Sequence, residues 1–194
     1  MIVKNFKNLN SKDYEKIADI LKKDEIIIYP TETIYGIGGN ALSKKVIEKI
    51  VKIKKRDMSK KFIWLFKDLN MIEKFMKITE FEKSILKKYS QGGLTIILNK
   101  KENEEKVACR VSTHPFVLNI FEFIDFPLIS TSANISNKKY EHSFEKILSN
   151  FKKDIFLFIV DRKLFNIKPL PSTIIEVKNS KKIVILRQGK VKIA

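Results

Sequence analysis

Cysteine is nearly missing from this 194-residue chain: Cys109 is the only one, which excludes an intrachain disulfide and any zinc cluster built on several thiolates. Cysteine usage gives no reason to invoke an oxidising compartment, and a reduced cytoplasm is the expected setting. Only two histidines, His114 and His142, are present, and their separation fits no metal-ligand spacing. With so few bases available, Cys109 is expected to be a buried strand cysteine and not an activated thiol. No apolar run approaches the ~20 residues needed to span a bilayer, and the opening MIVKNFKNLNSKDYEKIADI lacks the unbroken apolar segment of a signal peptide. Export and membrane insertion are not expected.

Arginine and glycine are also scarce, and their placement is informative. Of 39 basic residues only Arg56, Arg110, Arg162 and Arg187 are arginines. Lysine supplies simple positive charge, so a retained arginine marks a need for the planar fork that grips phosphate or carboxylate. The six glycines fall in three short segments, at 36–39, 92–93 and 189. Glycine is thus spent where the backbone must turn or approach something closely. The net charge of +17 raises the question of a polyanion partner, but the lysines are spread along the chain, so a solvated basic surface accounts for much of it.

What is abundant is ordinary globular material, with 44% hydrophobic and 31% charged residues, which excludes a disordered chain. At this length one domain, residues 1–194, buries roughly 70% of the surface the unfolded chain exposes. Ser11 to Lys23 reads as an amphipathic helix behind a serine cap, followed by a strand at 25–29, a glycine-bearing loop, and a second helix capped by Ser43 and running to about Lys54. Phe62 to Phe66 reads as a strand, and Thr79 with Glu82 forms a capping-box pattern opening a helix to about Tyr89. Strands follow at 94–98 and 107–111, then a helix from about His114 to Phe123 and a strand from Pro127 into STSAN. Ser143 caps a short helix, and apolar runs at 155–160, 173–177 and 183–186 complete about seven strands. The alternation predicts an α/β fold with a mixed sheet.

Five segments carry polar residues beside these strands. YPTETIYGIGG (29–39) follows a strand, where open α/β sheets bind ligands, but it is neither a P-loop nor a GxGxxG turn. In KIKKRDMSKKF (52–62), Lys54, Arg56 and Lys60 converge on one anion or simply complement a helix end. In PLISTSANIS (127–136), Ser130, Ser132 and Asn134 share one face of an extended segment, with Thr131 expected on the other. PSTII (171–175) and LRQGK (186–190) complete the set. Arg110, in an apolar strand, needs an anionic partner if its face is buried. Arg162 fits no constellation and is expected at the surface, and Trp64 is expected in the core.

These segments, in this order, resemble the YrdC-like family, whose members include the TsaC-type threonylcarbamoyl-AMP synthases. Pro30 to Gly39 resembles its PTET-type loop, Lys54 to Arg56 its KxR element, Ser130 to Asn134 its SxSAN element, Pro171 to Ile174 its PSTI element, and Arg187 to Gly189 its terminal turn. The resemblance implies a twisted mixed sheet around a concave basic cavity. It also implies condensation of L-threonine, bicarbonate and ATP to threonylcarbamoyl-AMP and pyrophosphate, with Mg2+ on the ATP phosphates and no protein ligand assigned to it. The product would serve a tRNA threonylcarbamoyl-transfer machinery, with direct tRNA binding as a further expectation. By motif position Lys54 and Arg56 are the catalytic cations, and Arg56, Lys60, Ser132, Asn134 and Arg187 bind ATP. Thr33, Arg110, Ser130 and Ser172 surround threonine, with Thr31 and Tyr35 as additional candidates. The chain departs from the family at Asp57, at Gln91 to Gly93, at Asn137, and before PSTI, where glycines are missing. Two other readings stand beside this one: a noncatalytic RNA-binding relative, and a paralogue acting on another carbamoyl compound.

Overall fold

The computed structural model describes residues 1–57, 61–89, 92–138, 140, 143–168, 170–178 and 181–193. Among them the elements run β1 (Ile2–Asn5), α1 (Ser11–Lys22), β2 (Ile27–Tyr29), β3 (Gly36–Gly38), α2 (Lys44–Lys54), β4 (Ile63–Phe66), α3 (Leu69–Phe75) and β5 (Met76–Lys77). The second half adds α4 (Glu80–Lys88), β6 (Leu94–Lys100), β7 (Lys106–Val111), α5 (Pro115–Ile120), β8 (Leu128–Ser132), α6 (Phe144–Phe151), β9 (Leu157–Val160), β10 (Thr173–Lys178) and β11 (Lys182–Arg187). Short 3-10 turns occupy Phe6–Asn8 and Arg162–Asn166.

One eleven-stranded mixed sheet results, in the order β1-β9-β2-β3-β8-β4-β7-β6-β10-β11, with β5 paired to β6 off that path. The mixed α/β class is as expected, but among the described residues the sheet has more strands than the expected seven or so: the apolar runs correspond to eight of the eleven, and β1, β3 and β5 are the other three. β1 is too exposed to present an apolar run, β5 has two residues, and β3 is the sequence GIG, which reads as a turn. At Gly38 the need for glycine is steric: a Cβ would lie 1.6 Å from the carbonyl oxygen of Ile129. That contact lets β2, β3 and β8 close ranks beside the loop 30–35.

Helix caps follow local side-chain chemistry. Asn10, and not Ser11, caps α1: its side chain accepts from Asp13 N–H while the Asp13 carboxylate accepts from Asn10 N–H. The Thr79/Glu82 box opens α4 as expected. His114 caps α5 through its side chain, and that helix stops at Ile120, short of the expected Phe123. The core is one cluster of buried side chains on both halves of the sheet, including Trp64 and Cys109. Burial pushes the Cys109 thiol far above its ordinary value, so it is inert at neutral pH. Arg162 is exposed, and among the described residues no helix is long and apolar enough to cross a membrane.

His114 gives the fold a pH dependence. It is buried, its Nδ1 accepts from Phe116 N–H at 3.1 Å, and its Nε2 stands 3.5 Å from Asp161 Oδ2. Burial pulls its pKa below the ordinary imidazole value of 6.5, against an opposing pull from Asp161. The unfolded chain therefore takes a proton that the native state refuses, so stability is lost as pH falls below about 6.5, by at most about 1.4 kcal/mol per pH unit for this group. Urea midpoints of the wild type are expected to drop between pH 7 and 5.5, and His114→Gln to flatten that drop. An equal slope in the variant would assign it elsewhere.

Candidate active site

The loop 30–35, the segment after α2, the ends of β7 and β8, and the entry to β10 meet over one face of the sheet. They enclose a cavity of about 700 Å3 whose apolar floor includes Ile63, Ile97, Ala108 and Ile174. Thr31, Thr33, Tyr35, Arg56, Arg110, Ser130, Ser132, Ser172 and Arg187 all border it, so the structure gathers most of the expected site residues. Lys60 lies outside the described residues. Lys61, Thr131, Tyr140 and Lys168 also border the cavity and were not anticipated. Its cations are Arg56, Lys61, Arg110, Lys168 and Arg187, and no carboxylate is among the described lining residues.

Arg56 follows α2 directly. Lys55 ends that helix in the left-handed region at φ 50°, which turns the chain so that Arg56 leaves the helix axis. Its Nη2 donates to the Lys61 carbonyl at 2.8 Å, its Nη1 reaches Thr131 Oγ1 at 3.4 Å, and its plane lies 4.7 Å from the Phe62 ring centroid. Thr131 therefore does not point away from the site as strand alternation suggested. Burial lowers the Arg56 pKa, and the neighbouring Asp57 charge opposes that shift.

Lys54 and Asn134 do something different from what was expected. The Lys54 side chain is buried and its ammonium donates to the carbonyls of Ser132 and Asn134, so it pins the segment after β8 instead of facing the cavity. Burial draws its pKa down to about 7, with Arg56 acting in the same direction. A neutral amine still has two hydrogens for two carbonyls, so the pin survives deprotonation. The Asn134 amide accepts from Ser132 Oγ at 2.5 Å and donates to the carbonyls of Ile135 at 3.2 Å and Lys138 at 2.6 Å, folding the loop on itself. Asn137 completes that loop at φ 63°, a left-handed conformation asparagine tolerates, which accounts for its standing where the family often has glycine.

Arg110, on β7, is almost fully buried and finds the anion its environment demands. Glu32 Oε1 lies 3.0 Å from its Nε, and its Nη1 donates to Thr33 Oγ1 at 3.1 Å. The motif pattern does not single out Glu32, yet it is the only acidic residue in YPTETIYGIGG, and a buried strand arginine needs an anionic partner. On the far wall, Arg187 donates through Nε and Nη2 to the Ser172 carbonyl at 3.0 and 2.8 Å, and through Nη2 to Ser172 Oγ at 3.1 Å. Thr95 Oγ1 also donates to Ser172 Oγ at 2.8 Å, so that oxygen accepts twice and its own hydrogen is available to a ligand. Burial lowers the Arg187 pKa and the Arg110 charge adds to this, which sets the two guanidinium groups in one electrostatic neighbourhood.

Tyr35 borders the cavity, but its hydroxyl is engaged elsewhere. It donates to the Asp161 carbonyl at 2.6 Å and accepts from Asp161 N–H at 2.9 Å, while its ring stacks on Phe165 at 4.8 Å. Its backbone N–H donates to Tyr140 Oη at 3.0 Å. Thr31 Oγ1 donates to the Ile34 carbonyl at 2.7 Å, closing the loop that carries Glu32 and Thr33.

A mixed α/β sheet with guanidinium groups and hydroxyls gathered over its face at strand ends defines an α/β protein with a cation-lined cavity. More particularly, the chain belongs to the Sua5/YciO/YrdC family, whose model, described as telomere recombination, matches residues 19–189. A Methanocaldococcus jannaschii protein provisionally named threonylcarbamoyl-AMP synthase is 34% identical over 191 residues, covering 93% of this chain and 89% of the relative. The threonylcarbamoyl-AMP synthase of Psychromonas ingrahamii is 31% identical over 163 residues, covering 78% and 85%. The crystal structure of P. abyssi Sua5 complexed with L-threonine superposes with a TM-score of 0.85 at 26% identity over 97% of this chain. This chain spans 58% of that longer one.

Proposed function

We propose that this chain is a threonylcarbamoyl-AMP synthase, condensing L-threonine, bicarbonate and ATP into threonylcarbamoyl-AMP and pyrophosphate within one domain spanning residues 1–194. The observation that carries this reading is the cavity wall, which Arg56, Lys61, Arg110, Lys168 and Arg187 border among hydroxyls with no carboxylate among the described lining residues. Such a wall suits a nucleoside triphosphate beside an amino-acid carboxylate. The names of the relatives support the same activity.

Bicarbonate gives up water to supply CO2, and threonine's neutral amine captures that CO2 as a carbamate with release of the proton that the dehydration consumed. A carbamate oxygen then attacks the α-phosphorus in line as the bond to the β-phosphate breaks and pyrophosphate leaves. The protein's task is then to position and to stabilise charge, with no covalent intermediate. Arg110, Thr33, Ser130 and Ser172 hold threonine, with Arg110 on its carboxylate. Arg56, Lys60, Ser132 and Arg187 hold ATP, and Lys54 and Asn134 fix the backbone that presents Ser132. Mg2+ would ride on the ATP phosphates, where it would offset the charge of the departing pyrophosphate. The product passes to a tRNA threonylcarbamoyl-transfer machinery.

The test supplies purified protein with ATP, Mg2+, bicarbonate and single amino acids, and follows pyrophosphate and the carbamoyl adenylate by mass spectrometry. Threonine-dependent product is expected, and none would sink the reading. Arg56→Lys is expected to lose about 10- to 100-fold in kcat/KM although it keeps its charge, because the fork is lost. Near-normal turnover would reduce Arg56 to a helix-end cation.

A further inference from the structure

The buried Glu32 has no part in the site as proposed above, yet it sits in a slot built for a carboxylate. Its Oε2 accepts from Ser112 Oγ at 2.9 Å and from Thr113 N–H at 3.4 Å. Its backbone carbonyl accepts from Lys190 Nζ at 2.9 Å. Gly92, at φ +78°, leaves room that a Cβ would fill, since that atom would lie 2.7 Å from Glu32 Cγ. Burial alone would push the Glu32 carboxyl up, but the Arg110 charge and the donors around it outweigh burial and hold it below the usual carboxylate range.

Glu32 Oε1 and Arg110 Nε are both shut off from solvent and lie 3.0 Å apart without hydrogen-bond alignment, so their attraction is between charges. That closure also prevents Glu32 Oε1 from touching a ligand. What the pair fixes is the guanidinium plane: Glu32 takes the Nε side, Thr33 takes one hydrogen of Nη1, and the remaining N–H groups are left for the cavity. A flexible arginine held at two of its nitrogens has little rotamer entropy left to lose when a carboxylate arrives.

We infer that Glu32 is a positioning residue for the amino-acid half of the site, orienting Arg110 toward the substrate carboxylate; the inference rests on the synthase reading above. Glutamine cannot replace it. With its oxygen toward Arg110, its amide nitrogen meets the Thr113 N–H; with its oxygen toward Thr113, that nitrogen meets the Arg110 Nε–H. Either orientation sets donor against donor.

In the threonine-dependent pyrophosphate assay on the full chain, Glu32→Gln is expected to raise the threonine KM about tenfold or more, with the ATP KM changed less than about twofold. Ser112→Ala, which removes one donor to the carboxylate without touching Arg110, is expected to raise the threonine KM about threefold with the same selectivity. An unchanged threonine KM in Glu32→Gln, or equal rises for both substrates, overturns the inference. If Glu32→Gln does not fold, an unchanged threonine KM in Ser112→Ala overturns it. A wild type without threonine-dependent turnover refutes the synthase reading instead. In that event the Arg110 Nε–H NMR signal, assigned through Arg110→Lys, still decides: it is expected to exchange slowly in the wild type and faster in Ser112→Ala, and equal rates overturn the orienting role.

Discussion

Gly38→Ala is expected to abolish stable folding, with a loss above about 4 kcal/mol, the range reserved for changes the surrounding structure cannot absorb. The added Cβ would sit 1.6 Å from the Ile129 carbonyl oxygen and 2.9 Å from Tyr29 Oη. Neither neighbour has room to move. Tyr29 Oη donates to that same Ile129 carbonyl at 2.7 Å, and Ile129 N–H donates to the Gly39 carbonyl at 2.9 Å. β3 is held on both sides, by β2 through Ile27 and Ile28 and by β8 through Thr131 and Ser132. Relieving the clash means separating strands whose ends carry Thr31, Thr33, Ser130 and Ser132, so any residual folded fraction is expected to be inactive. Circular dichroism with urea titration checks this. A soluble variant with a wild-type midpoint would show that β3 can slide.

Arg110→Met is expected to cost about 3–5 kcal/mol, because it strands the Glu32 carboxylate in a buried site without its counter-charge. Adding Glu32→Gln to that variant removes the orphaned charge and is expected to recover more than about 1 kcal/mol, the non-additivity that contacting pairs display. The double variant remains without threonine-dependent turnover even when refolded. Urea midpoints of the two single variants and the double variant give the coupling directly. Simple additivity would mean that the 3.0 Å contact contributes nothing.

These two sites show unequally in the sequence. An arginine inside the apolar run of β7 announces that it needs an anion, but the run does not say which of 22 acidic residues answers, since Glu32 and Arg110 meet only through the path of the sheet. Strong apolar runs at β4, β6, β7 and β9 were legible because two buried faces demand them. β3 was not, because Gly-Ile-Gly signals a turn unless the proximity of β8 is known. Lys54 shows the same limit for side chains: spacing places it beside Arg56 at a helix end, while tertiary structure decides that its ammonium turns back to two carbonyls. Thr131 was assigned away from the cavity by strict alternation, and Arg56 reaches it because it approaches from a separate element at the end of the strand. The hydroxyls of Ser130, Ser132 and Ser172 were readable because each sits in a short polar segment beside a strand.

β10 pairs in parallel with β6, placing Thr173 to Glu176 beside Leu94 to Ile97. On the ribosome, β6 exists long before its neighbour does. Until residues near 178 emerge, the Leu94 to Ile97 stretch offers an unpaired, apolar strand edge to any other nascent chain, the exposure that makes slowly completed sheets prone to aggregate. Ser172 and Arg187 arrive with that same late hairpin. The same hairpin thus completes the cavity wall and covers the vulnerable edge, so a ribosome-bound chain stalled before it is expected to be both inactive and adhesive.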